Sequence, residues 1–114
     1  MKSQVLALPE VRSYFAELMQ ILYDKGYFSF EENAIEYVTD LFADIEQNLP
    51  TKSRKPAPAY FDKYGKNLYY ASFKTSRHTQ WYVFFTVHTD VSSDTKTFLI
   101  KYVSNNHMVS QHLL

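Results

Sequence analysis

Apolar positions change their spacing halfway along this chain, from a helical period to an alternating one. Val11, Tyr14, Phe15, Leu18 and Leu22 recur at three- and four-residue intervals and predict one buried helix stripe. Pro9 suits the first position of that helix, where its missing N–H would be unpaired in any case. Lys25-Gly26 supplies the stop: a cation near the negative helix end and a residue free to turn left-handed. Residues 3–8 before Pro9 read as a short edge strand. A second helix is predicted after Ser29, with Ser29 as cap and Glu32 closing a capping box. Ala34, Ile35, Val38, Leu41, Phe42, Ile45 and Leu49 hold its apolar face, and Pro50 ends it. The short joint at Gly26–Ser29 predicts an antiparallel helical hairpin.

Residues 51–66, with Pro56, Pro58 and Gly65, read as a long loop containing one helical turn around Tyr60–Tyr64. Long loops in compact domains tend to carry function. Three strands are predicted next, at about 67–75, 80–89 and 97–104, joined as an antiparallel meander. Alternation sends Trp81, Val83, Phe85 and Val87 to the helices, with Tyr69, Ala71, Phe73, Phe98, Ile100 and Tyr102 beside them. Tyr70, Ser72, Lys74, Tyr82, Thr86, His88 and Lys101 take the opposite face, which is polar, aromatic and basic. The expected fold is α+β, one domain spanning residues 1–114: an N-terminal strand, a helical hairpin and a three-stranded meander.

Composition supports a packed domain: 46% of residues are apolar and there are only 2 glycines. The absence of cysteine excludes disulfides and thiolate metal sites, and it suits a reducing cytoplasm. No apolar run reaches the roughly 18–20 residues of a membrane span, and the start is too soon interrupted to be a signal peptide. A cytoplasmic protein without membrane contact is expected. The net charge is zero but unevenly placed. Residues 1–50 carry 3 basic and 9 acidic side chains, whereas residues 51–80 carry 7 basic ones (Lys52, Arg54, Lys55, Lys63, Lys66, Lys74, Arg77) against Asp62 alone. The second segment would attract phosphate or an acidic protein. His78, His107 and His112 are too scattered for a metal site, and no Gly-rich phosphate loop or Ser/His/Asp signature is present.

The element order, together with Ile45-Glu46-Gln47-Asn48-Leu49-Pro50, Tyr69-Tyr70-Ala71-Ser72-Phe73, Trp81-Tyr82-Val83-Phe84-Phe85 and Phe98-Leu99-Ile100-Lys101-Tyr102-Val103, resembles the RelE/ParE toxin superfamily of plasmid-stabilisation and toxin–antitoxin systems. The resemblance covers nearly the whole chain. It implies a ribosome-dependent, metal-independent mRNA endoribonuclease needing no cofactor, with mRNA and the ribosome as partners and a cognate antitoxin that neutralises it. Cleavage by a 2′-hydroxyl requires one group to accept a proton, one to donate it, and a fixed cation. Lys74, Arg77, Lys101 and His88 are the catalytic candidates. Arg54, Lys55 and His107 would grip RNA, and Tyr70 or Tyr82 would stack on a base. The chain departs from the family at two places. Tyr82 stands where many relatives carry Arg, and Ser104-Asn105-Asn106-His107 stands where basic residues are common, which leaves Arg77 as the compensating cation. Two further readings share the architecture: a ParE-type toxin that poisons DNA gyrase by binding it, and a non-catalytic interaction domain, favoured by the aromatic face and neutral charge.

Overall fold

A computed structural model describes residues 1–113. The fold is α+β, built on one mixed sheet. Strand β1 (Lys2–Ala7) leads into helices α1 (Pro9–Asp24) and α2 (Glu31–Asn48). A 3-10 turn (Leu49–Thr51), the two-residue strand β2 (Lys55–Pro56) and a second 3-10 turn (Ala59–Tyr64) follow. Strands β3 (Tyr69–Lys74), β4 (Gln80–Asp90) and β5 (Thr95–Asn105) form the meander, and helix α3 (Asn106–Val109) closes the described chain with a last turn at Ser110–His112.

The spatial order is β1-β5-β4-β3-β2. β1 runs parallel to β5, and the remaining pairs are antiparallel. The sheet thus has five strands where the sequence pattern predicts four. β2 escapes the pattern because two residues are too few to alternate. The hairpin covers one face. Val11, Phe15 and Leu18 of α1 and Val38, Leu41 and Ile45 of α2 pack on Ala71, Phe73, Trp81, Val83, Phe85, Phe98 and Ile100. Pro9 begins α1 and Gly26 takes φ +78°, as expected for a left-handed stop.

Three sequence expectations need correction. The capping box does not form: α2 starts at Glu31 behind Phe30, so Ser29 lies one residue outside the cap and its side chain bonds nothing there. Glu31 and Glu32 still favour the first turn through the helix dipole. Ile35 sits at the edge of the apolar stripe and is 43% exposed. Tyr102 lies on the face away from the helices. The β4–β5 register steps from Phe84↔Tyr102 to Phe85↔Ile100, leaving Lys101 as an extra residue. Such a bulge reverses the facing of every residue beyond it, so Val103 takes the helix side and Tyr102 the other.

Part of that other face is also closed. The Ala59–Tyr64 turn and α3 bring Phe61 and Val109 onto Phe84 and Leu68 as a second apolar cluster, with Tyr70, Tyr82 and Tyr102 packed around it. Phe61 and Phe84 stack at 4.3 Å between ring centroids. An open polar sheet face was expected here. Half of it is instead a second core.

Candidate functional site

Strand register spreads the candidate catalytic groups along the sheet. Lys74 pairs with Gln80 at one end, whereas His88 pairs with Thr97 near the other. At about 3.4 Å per residue the stretch from Gln80 to His88 runs roughly 27 Å. Lys101 sits at the bulge opposite Phe84 and Phe85, roughly 15 Å along from the Lys74 end. Arg77, in the β3–β4 loop, is close in sequence to Lys74 alone. His88 is exposed, and its Nε2 shares a 2.8 Å hydrogen bond with the Thr86 hydroxyl. The fold therefore brings Lys74 and Arg77 to one end of the sheet and holds His88 and Lys101 away from them.

The proposed RNA contacts are dispersed as well. Arg54 lies over the Tyr69 ring at 4.9 Å, and Lys55 is in β2 beside Tyr70. Tyr70 and Tyr82 meet edge to face at 6.1 Å inside the second cluster, half-buried. The phenol of Tyr82 reaches only its own strand neighbour Gln80, at 3.4 Å. His107 is exposed in α3, whose first turn is capped by the Asn105 side chain accepting from the His107 N–H. Asn106 ties α3 to the β3–β4 loop: its Oδ1 accepts from the Gln80 N–H and its Nδ2 donates to the His78 carbonyl. Among the described residues no group of three or more His, Asp or Glu stands together as a metal site, and no helix is long and apolar enough to cross a membrane.

A different site emerges along β5. β1 pairs with β5 only as far as Ala7↔Ile100, and the Leu8 N–H then donates to the Ile100 carbonyl at 3.0 Å. Pro9 turns the chain into α1 at that point. From Lys101 to Asn105, β5 keeps β4 on one side and has no strand on the other. Beside this bare edge lies a groove of about 540 Å³ walled by the start of α1, the Ala59–Tyr64 turn and α3. Tyr14, Tyr64 and Tyr102 line it together with Lys63, Lys101 and, on the α1 side, Glu10.

Tyr64 and Tyr102 stack at 3.7 Å with their planes 5° apart. Burial first, and the adjoining Tyr102 hydroxyl next, push the Tyr64 phenol up to about 12. Burial, then Tyr102, raises the Tyr14 phenol as well. A raised phenol pKa means the fold prefers the neutral ring. That preference stabilises the protein fully below the unfolded value of 10.0 and is lost as pH rises toward about 12. Tyr64→Phe is expected to flatten part of this alkaline loss, the remainder being that of Tyr14, read as urea midpoints across that window. Gly65, next to the groove residue Tyr64, takes φ +152°, and a Cβ built there would come 3.0 Å from Lys101 Cδ. Gly65→Ala is expected to destabilise the fold by about 1–3 kcal/mol and to displace Lys101, seen as shifts of the Lys101 side-chain NMR signals. An unchanged Lys101 environment would refute the close approach.

Of the groove residues, the sequence pattern points to Lys63, in the basic segment, and Lys101. Alternation puts Tyr102 on the wrong face, because a bulge leaves no mark on it. Tyr14 read as one more residue of a core stripe. Comparison of the chain with protein-family models, curated proteins and solved structures gave no match.

Proposed function

We propose that this chain is a type II toxin with RelE/ParE architecture that acts by gripping a protein, in the manner of the gyrase-poisoning members, and is neutralised by a cognate antitoxin covering the same groove. The observation that carries this reading is the bare half of β5 beside the tyrosine-lined groove. A strand edge offers unpaired backbone groups that an extended peptide satisfies, while flanking pockets select its side chains. Tyrosine rings supply large contact area with a polar tip, the chemistry favoured at protein interfaces. Lys63 and Lys101 would select carboxylates on the bound segment. The order β1, helical hairpin and β3-β4-β5 meander supports the toxin assignment. Ribosome-dependent RNA cleavage is the second reading, favoured by Lys74 and Arg77 sharing one exposed end of the sheet.

Induced expression in a bacterial host tests the proposal. Growth arrest is expected for the wild type and for Lys74→Ala/Arg77→Ala, and relief is expected for Lys63→Glu/Lys101→Glu. Unimpaired growth with folded wild-type protein would defeat the toxin assignment. Arrest relieved only by Lys74→Ala/Arg77→Ala would return the activity to RNA.

A further inference from the structure

The end of the molecule opposite β1's start carries two unlike surfaces side by side. Tyr37 of α2 hydrogen-bonds Thr75 at the end of β3, Oη to Oγ1, at 2.7 Å. The hairpin tip and the β3–β4 loop therefore lie at the same end of the molecule, and Glu31 lies roughly 9 Å further along the α2 axis than Tyr37. On this tip Tyr27 is 70% exposed and Phe30 61%. Asp24, Glu31, Glu32 and Glu36 are exposed on this tip beside a single exposed cation, Lys25. The β3–β4 end of the sheet carries Lys74, on the face away from the hairpin, and Arg77 in the loop, both exposed, with the polar segment Ser76–Thr79 between the strands. Among the described residues the ion pair formed is that of the Met1 amine with Asp94, at the far end of the sheet. The tip acids and the loop cations thus make no ion pair within one copy.

We infer that this end is a self-association surface: the acidic, aromatic tip of one copy seats on the Lys74–Arg77 end of a second copy, and the reverse contact forms at the same time. The occupant follows from charge. The segment that includes the tip is the acidic half of the chain, and its complement, the basic segment 51–80, is carried by every other copy. Adjacent acceptor and donor patches at one end permit a two-fold arrangement in which each contact is made twice and the assembly closes as a dimer. The exposed rings add a second attraction, since a guanidinium or ammonium over an aromatic face is held by the ring quadrupole. Apolar rings on an otherwise charged tip also gain by leaving water. This inference is independent of the toxin reading, because it concerns the hairpin tip and not the β5 groove.

Sedimentation velocity on the full chain tests it. At low salt, where the screening length is about 30 Å, the wild type is expected to sediment at twice the 13.5 kDa chain mass. At high salt, where that length falls to about 3 Å, it is expected to dissociate to monomer. Glu31→Lys/Glu32→Lys and Lys74→Glu/Arg77→Glu should each weaken the dimer at least about tenfold, a shift of ~1.4 kcal/mol. Placing all four substitutions in one chain swaps the charges on both patches and should restore dimerisation. All these positions are exposed, so circular dichroism should show each variant folded. A monomeric wild type at low salt, a dimer indifferent to both reversals, or a folded four-fold variant that stays monomeric would each overturn the inference.

Discussion

Phe84→Ala is expected to lower stability by about 3–5 kcal/mol, the usual penalty for emptying a closed aromatic site. Phe84 lies on the sheet face that alternation assigns to solvent, yet it is 0% exposed. Its ring is held between Phe61 at 4.3 Å, Tyr102 at 5.5 Å and Tyr70 at 5.8 Å. The neighbours come from a 3-10 turn and two different strands, so they cannot collapse together into the space. Thermal unfolding should show a midpoint fall of roughly 10–25 °C. A fall of only a few degrees would mean that the second face is open and that the Ala59–Tyr64 turn does not seal it.

Trp81→Ala should be comparably damaging, at about 3–5 kcal/mol, for a reason that can be separated into parts. Trp81 is 3% exposed at the helix side of β4, and its indole N–H donates to the Tyr37 hydroxyl at 3.0 Å. Tyr37 in turn reaches Thr75. The chain of bonds fixes the start of α2 against the end of β3. Trp81→Phe keeps most of the packing and removes the donor, so about 1–2 kcal/mol is expected from it. Tyr37→Phe should cost about as much, and the double variant less than the sum, because both remove the same bond. Strict additivity in denaturant unfolding would show that the Trp81–Tyr37 bond contributes nothing.

The two layers of the fold differ in how far they can be read from sequence. Val11, Phe15, Leu18, Val38, Leu41 and Ile45 repeat at helical spacing over several turns, and Trp81, Val83 and Phe85 alternate cleanly, so the hairpin-on-sheet core is visible in the pattern. Phe61 and Val109 sit in elements of one or two turns, too short to show any period, and these residues build the second core. The bulge at Lys101 is likewise silent, because it changes the parity of β5 without changing its composition. That change of parity is what turns Tyr102 into the groove. The convergence of Lys74, Arg77, Lys101 and His88 is a question of register and not of residue type, and register holds Lys101 and His88 away from the other two. Tyr82 is half-buried among Tyr70 and Phe84, where a guanidinium would lose solvation without a partner.

The most direct test of a protein-gripping function is to map the 5′ ends of ribosome-bound mRNA in cells whose growth the wild-type protein has arrested. The account predicts arrest with mRNA ends unchanged from uninduced cells. New ends appearing with arrest, and disappearing in Lys74→Ala/Arg77→Ala, would contradict it and assign the activity to RNA cleavage at the β3–β4 end.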